Sequence, residues 1–297
     1  MKIIITGSLG NISKPLATEL IKNGHTVTVI SSKADKQAAI ESLGATAAIG
    51  LLDDAHFLTD TFAGADAVYC MIPPNFAAPD QLAHYQAIGR SYVQAIRQSG
   101  VKRVVHLSSW GAHRETGTGF IVGSHHVEGV LNELTDVAVT HLRAGYIYYN
   151  LFNYMGMIKG AGMIGANYGG DDQLVLVAPA DIAVAAAEEL IAPHIEPGHT
   201  IRYVASDERT PNEIAHSLGG AIGKPDLHWV TFTNEQLKSS MEQRGLPAHI
   251  IENSMELGNS IHNGTLRENY DQHKPATMGR VKLADFANEF AAAFAKS

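Results

Sequence analysis

The sequence predicts an α/β fold, a doubly wound parallel sheet followed by a smaller C-terminal α/β domain. Three features predict it. Short apolar runs rich in β-branched residues alternate with helical patterns through the first half. Gly7 and Gly10 fall between the first run and the first helix. The alternation stops after Arg143. Strand, helix, strand in repetition means parallel strands joined by right-handed crossovers. Parallel strands are covered on both faces, so their sequences are continuously apolar rather than alternating.

The predicted strands are residues 2–6, 26–30, 46–49, 67–71, 104–107 and 138–142. Between them, helical spacing covers 14–22, 36–43, 57–62, 81–98 and 125–133; in the first of these Leu16, Leu20 and Ile21 share a face that Glu19 and Lys22 avoid. Residues 144–170 hold many glycines, tyrosines and methionines without clear period, and read as a long functional loop. An alanine-rich helix follows at 179–191, then strands at 200–205 and 227–232. Thr210-Pro211-Asn212-Glu213 and Thr233-Asn234-Glu235-Gln236 carry the capping-box pattern and start two more helices. The expected division is 1–147 for the first domain and 148–297 for the second, with the chain free to cross back.

Composition narrows the function. The chain has 297 residues, 45% hydrophobic and 18% charged, enough apolar material for a sizeable core. Its net charge of −8, with no run of Lys or Arg, argues against a nucleic-acid partner. The single cysteine, Cys70, excludes a disulfide framework and a cysteine-rich zinc site, and its buried-type strand marks it as inert core. The opening apolar run is too short for a signal peptide, and no stretch reaches membrane-spanning length. A cytoplasmic protein without a membrane partner is expected; a homodimer is left open.

Gly7-Ser8-Leu9-Gly10-Asn11-Ile12-Ser13 has the form GxxGxxS. Gly7 permits a tight strand-to-helix turn and Gly10 lets the backbone approach a pyrophosphate, which the following helix N-terminus attracts. Placed directly after a buried-type strand, the loop points to a dinucleotide rather than to a plain turn. The end of the second strand reads Ile30-Ser31-Ser32-Lys33, with no carboxylate before Asp35. A carboxylate there would bind a ribose 2′-hydroxyl and favour NADH. Two hydroxyls and a lysine suit a 2′-phosphate instead, so NADPH is expected over NADH.

Several segments together resemble one family. They are the GxxGxxS loop, Phe62-Ala63-Gly64-Ala65-Asp66-Ala67-Val68, and Gly100-Val101-Lys102-Arg103-Val104-Val105-His106-Leu107-Ser108-Ser109. Leu142-Arg143-Ala144-Gly145 and Asp181-Ile182-Ala183 complete the set. In order and spacing they resemble the NmrA-like branch of the atypical short-chain dehydrogenase/reductases, above all its bacterial NAD(P)H:quinone reductases and triphenylmethane dye reductases. The likeness runs over nearly the whole chain. It implies a Rossmann-like domain, a smaller C-terminal domain, and a cofactor lying across the strand ends. Some members are reductases; others are regulators that bind the dinucleotide without turning it over. Carried over by position, Gly7, Ser8, Leu9, Gly10, Asn11 and Ile12 hold the pyrophosphate and Ser31, Ser32 and Lys33 surround the adenosine ribose. Met71, Ile72 and Pro73 lie along the cofactor, with Ser108 and Ser109 near the nicotinamide ribose.

The catalytic pattern departs from the better-known short-chain dehydrogenases, which use Tyr-x-x-x-Lys. No tyrosine occurs between Tyr92 and Tyr146, and no lysine between Lys102 and Lys159. The NmrA-like branch often places Lys or His at the second position. An ungapped count back from Arg143 puts His125 there; a count from the family's helix glutamate, if that is Glu128, puts Ser124 there. His125 is the expected catalytic residue, able to hold the ribose or relay a proton. Fifteen histidines are present, but no H-E-x-x-H or other compact ligand spacing, so no metal is expected. Leu107-Ser108-Ser109-Trp110-Gly111 lacks the first glycine of a nucleophile elbow, which argues against a serine hydrolase.

Phe76, Trp110, Tyr146, Tyr148 and Asn150 all follow strand ends, where open parallel sheets bind ligands. They are the expected substrate residues, suited to a flat aromatic acceptor, although domain packing would also use them. Hydride transfer to a quinone asks for little beyond proximity and orientation, so a missing Tyr–Lys pair is tolerable for it. The expectation is an NADPH-dependent oxidoreductase acting on a quinone-like or other conjugated aromatic acceptor. The alternative is a non-catalytic, NAD(P)-binding redox-sensing regulator.

Overall fold

The computed structural model describes residues 1–194 and 196–297. Strands and helices alternate through the first half: β1 (Lys2–Ile5), α1 (Ser13–Lys22), β2 (Thr26–Ser31), α2 (Gln37–Ser42), β3 (Thr46–Ile49), α3 (Ala55–Phe62), β4 (Ala67–Cys70), α4 (Gln81–Ser99), β5 (Arg103–Ser109), α5 (Val122–Leu131) and β6 (Ala138–Ala144). Next come β7 (Tyr146–Ile147), α6 (Met155–Ala161), β8 (Ile164–Ala166), β9 (Leu174–Val177), α7 (Pro179–Ile191) and β10 (Gly198–Val204). The chain ends with β11 (Asp207–Arg209), α8 (Pro211–Ala221), β12 (Trp229–Thr231), α9 (Asn234–Gln243), α10 (Ala248–His262), α11 (Glu268–Gln272) and α12 (Leu283–Phe294). Two compact units result. The first is Met1–Ala112, Gly123–Arg143 and Ile182–Arg202; the second is His113–Val122, Ala144–Asp181 and Tyr203–Ser297.

The first unit carries a seven-stranded sheet of order β10-β6-β5-β4-β1-β2-β3. β1 pairs in parallel with β2 and with β4, Ile3 lying opposite both Val27 and Ala67. β2–β3 and β4–β5 are parallel as well. The strand order reverses between β1 and β4, the position at which open α/β sheets form a ligand crevice beyond the strand ends. Residues 3–5 and 67–70 are all fully buried, as a sheet covered on both faces requires. On one face Ile4, Val68, Cys70 and Val104 pack with Leu58, Phe62, Tyr92, Ile96 and Leu131 from α3, α4 and α5. Burial pushes the Cys70 thiol up and keeps it protonated, as expected of an inert core cysteine. β3 and β10 are exceptions to continuous burial, because they are the two sheet edges and their residues are only partly covered.

The second unit holds a three-stranded sheet, β11-β9-β7, and a two-stranded one, β12-β8. Asp181 anchors it: its carboxylate accepts Ser206 Oγ at 2.6 Å and the backbone N–H groups of Arg280 and Val281 at 3.0 and 3.1 Å. Both expected capping boxes form, at Thr210 and at Thr233. The region 144–170 is not one long loop. It contains β7, a 3-10 segment over Tyr148–Tyr154, α6 and β8, each too short to show a period. Helix α3 begins earlier than its apolar spacing suggests, because the Asp54 carboxylate caps it by accepting the His56 and Phe57 N–H groups.

Candidate functional site

A cleft of ≈ 620 Å³ opens in the first unit at the ends of β1 to β4. Gly7, Ser8 and Gly10 line it, with Ile30, Ser31 and Ser32 after β2 and Met71 and Pro73 after β4. Gly7 has φ +93, and a Cβ there would sit 2.5 Å from Ser13 Oγ and 3.0 Å from Met71 Cγ. Glycine is therefore required for the backbone angle and for space. The Ser13 hydroxyl donates to Thr6 O at 2.8 Å, so a small residue at the third position of the motif closes the turn against the strand. The start of α1 has no side-chain cap and no acidic residue in its first turn; Lys14 and Leu16 N–H are taken by Gly10 O and Ile12 O and Pro15 has none, which leaves the Ser13 N–H to an anion. These features fit a dinucleotide's pyrophosphate.

The opposite wall is held by a small network. Thr6 Oγ1 accepts the Met71 N–H at 2.8 Å, and Tyr92 Oη donates to Met71 O at 2.7 Å. His84 Nε2 lies 3.1 Å from Pro73 O. Leu51, Leu52 and Asp53 after β3, Pro74 and Asn75, and His84 and Ile88 on α4 also line the cleft. Sequence reasoning missed these. The signal was available for Leu51, Leu52 and Asp53, which follow a predicted strand end, and for His84 and Ile88, which are one helical turn apart.

Other expectations need correction. Ile72 is buried in the core between two lining residues, because extended backbone alternates its side chains. Leu9, Asn11 and Ile12 continue the glycine loop beside the cleft, with the Ile12 side chain buried, and Lys33 is exposed just past β2; their expected contacts with the dinucleotide stay a proposal. Trp110, 2% exposed, is packed inside the first unit. Tyr148 is fully buried in the second, stacked on Phe286 at 5.1 Å between ring centroids, with its hydroxyl 3.4 Å from Asp207 Oδ2. Neither ring is available to a substrate.

Ser108 is drawn into a buried network: its hydroxyl donates to Glu128 Oε1 at 2.5 Å, and Arg143 holds both oxygens of that carboxylate. Ser109 is partly exposed at the end of β5, and its carbonyl accepts the Ala112 N–H. His125, partly exposed on α5, has Nδ1 2.9 Å from Ala112 O. Nδ1 therefore carries the proton, and Nε2 of the neutral ring is an acceptor.

Phe76 is exposed in the first unit; Asn150 is exposed in the second. Tyr146, partly exposed in the second unit, shares hydrogen bonds with Tyr154 and Tyr168, whose hydroxyls are 3.0 Å apart. Burial raises all three phenols, so each is a neutral donor and acceptor at ordinary pH. Among the described residues no group of three His, Cys, Asp or Glu side chains is placed to hold a metal ion. Among them, too, no helix is long and apolar enough to cross a membrane.

Comparison with known proteins agrees with this architecture. The structure is similar to the NADPH-dependent quinone oxidoreductase QOR2 of Escherichia coli, solved with NADPH: TM-score 0.82 and 20% identity, over 97% of this chain and 99% of that one. It is similar to the triphenylmethane reductase of Citrobacter sp., solved with NADP(H): TM-score 0.81 and 18% identity, over 97% and 99%. At these identities the likeness shows the fold. A curated relative, sterol demethylase protein B of Methylococcus capsulatus, is 28% identical over 116 residues, 38% of this chain and 35% of its own length. This chain thus matches about a third of that relative. The NmrA-like family profile matches residues 1–276, and the chain belongs to that family.

Proposed function

We propose that this chain is an NADPH-dependent oxidoreductase that reduces a quinone-like or other conjugated aromatic acceptor, with dinucleotide binding in the first unit and acceptor-binding side chains in the second. The cleft at the reversal of strand order carries this reading, because its glycine turn and uncapped helix N-terminus suit a pyrophosphate. The NADPH complexed with the Escherichia coli quinone oxidoreductase supports it. When bound, the reduced nicotinamide supplies a hydride. The chain holds and orients the reactants.

In this reading Gly7, Ser8 and Gly10 grip the pyrophosphate through the backbone, and Met71 and Pro73 wall the cofactor. Ser31 and Ser32 receive the 2′-phosphate, with Lys33 adding positive charge beyond the strand end. His125 is the proton-bearing group: anchored by Ala112 O through Nδ1–H, its protonated ring can donate from Nε2 to the reduced acceptor. Tyr146 and Asn150 are the acceptor-binding side chains of the second unit.

One observation favours the regulator reading. Residues 103–144 contain neither tyrosine nor lysine, so no Tyr–Lys pair can protonate a product. Following NADPH absorbance with purified protein and a panel of quinones and cationic dyes separates the two, provided NADPH binding is verified in the same sample. Turnover above the uncatalysed rate supports the reductase. Binding without turnover on any acceptor supports the regulator.

A further inference from the structure

We infer that Ser8 sets the preference for a 2′-phosphorylated dinucleotide by fixing the hydrogen-bond polarity of Ser31. The inference rests on the dinucleotide reading of the cleft. Among the described residues Ser8 is the one non-glycine with positive φ, at 54°. L side chains adopt that region at a cost that glycine avoids. What Ser8 contributes instead is a link to β2. Its N–H donates to Ile30 O at 3.0 Å and its hydroxyl donates to Ser31 Oγ at 3.0 Å.

Ser31 Oγ accepts a second hydrogen bond, from the Lys33 N–H at 3.2 Å. A serine oxygen has two lone pairs, and both are now used. What remains is the Ser31 proton, whose acceptor is Lys33 O at 3.4 Å, long for an O–H···O bond. Ser31 lines the cleft beside Ser8 and Ser32. It therefore meets a ligand as a donor. A 2′-phosphate offers charged acceptor oxygens to such a donor. A 2′-hydroxyl seeking an acceptor finds none on Ser31, and β2 and the residues just past it (26–34) contain no carboxylate to supply one; the carboxylate lining the cleft is that of Asp53, past β3. Glycine at position 8 would keep the turn, relieve its strain, and return a lone pair to Ser31.

The test is calorimetric titration of the full chain with NADPH and NADH, and with adenosine 2′,5′-bisphosphate against 5′-AMP to isolate the 2′-phosphate. The proteins are the wild type, Ser8→Gly and Ser31→Ala, with melting temperatures recorded for each. The wild type is expected to prefer NADPH; Ser31→Ala, which deletes the donor, should lower the NADPH-to-NADH affinity ratio about tenfold, the order of one charged hydrogen bond, and Ser8→Gly, which returns an acceptor lone pair to Ser31, should lower it about threefold or more. The bisphosphate-to-AMP ratio should fall in parallel, with folding retained. A wild-type preference that survives Ser8→Gly within twofold overturns this inference and leaves the dinucleotide site standing. A wild type that binds both dinucleotides equally also overturns it. A wild type that binds neither overturns the inference and the dinucleotide reading together.

Discussion

Glu128 and Arg143 form a bidentate ion pair inside the first unit: Arg143 Nε lies 3.0 Å from Glu128 Oε1, and Nη2 lies 2.7 Å from Oε2. Both residues are buried, and Ser108 completes the carboxylate's shell. The pair ties α5 to β6 one helical turn from His125. Arg143→Met leaves Glu128 charged and uncompensated, and should destabilise the protein by about 3–5 kcal/mol. Glu128→Gln combined with Arg143→Met should recover part of that loss. Urea unfolding checks both; a loss below about 1 kcal/mol in the single variant would show that the pair is dispensable.

His106 and His141 give a pH signature. Their Nδ1 atoms are 3.0 Å apart, and His141 Nε2 lies 2.8 Å from Asn132 Oδ1. With Asn132 accepting from Nε2–H, His141 Nδ1 is an acceptor, so that ring is neutral, and His106 Nδ1 is the donor. Burial, followed by the neighbouring imidazole, depresses His106 well below the ordinary value, and burial lowers His141 to about 4. The unfolded chain then binds more protons below about pH 6.5, so stability should fall as pH drops from there towards 4. The slope from His141 is up to about 1.4 kcal/mol per pH unit, with no contribution above pH 7. Urea midpoints between pH 4.5 and 7.5 test this, and His141→Gln should flatten the curve.

Tyr69 is fully buried on the central strand β4, and its hydroxyl has no hydrogen-bond partner among the described residues. Tyr69→Phe removes an unsatisfied polar atom with little change of shape. It should leave stability unchanged or raise it by about 1 kcal/mol. A loss above about 1 kcal/mol in thermal unfolding would mean the hydroxyl is satisfied in solution.

Gly10→Glu tests the proposed cofactor cleft. A Cβ at Gly10 would lie 3.1 Å from Gly7 O, and the added carboxylate would occupy the anion's place. NADPH affinity should fall more than about 100-fold, or about 2.7 kcal/mol. Retained affinity, measured by fluorescence titration of a folded variant, would remove the glycine loop from the binding site.

His125→Ala distinguishes two roles. If the ring supplies a proton, turnover on a quinone should drop at least about 100-fold while NADPH affinity holds. If it only holds the ribose, affinity falls instead. Unchanged kinetics would leave the ring with the Ala112 contact alone.

The first half of the fold was legible because its strands are buried on both faces and its turns carry glycine. The two capping boxes were legible because their chemistry is local. Residues 144–166 were not, since elements of two to seven residues show no period. The cleft was legible where backbone alone decides, at Gly7 and Gly10. It was obscured where side-chain direction decides: Met71 and Pro73 line it while Ile72 turns into the core, and Trp110 and Tyr148 follow strand ends yet point inward. Position along the chain does not reveal which face a ring takes until the opposing layer is known.

The first unit is assembled from three separate stretches, the last of which supplies the edge strand β10. On the ribosome, at about 5–20 residues per second, its sheet must therefore wait with the edge of β6 uncovered until residue 202 has emerged. Such non-local closure is slow, and an uncovered strand edge invites pairing with other nascent chains. A premature stop after β6 should yield aggregates rather than a free-standing nucleotide-binding module.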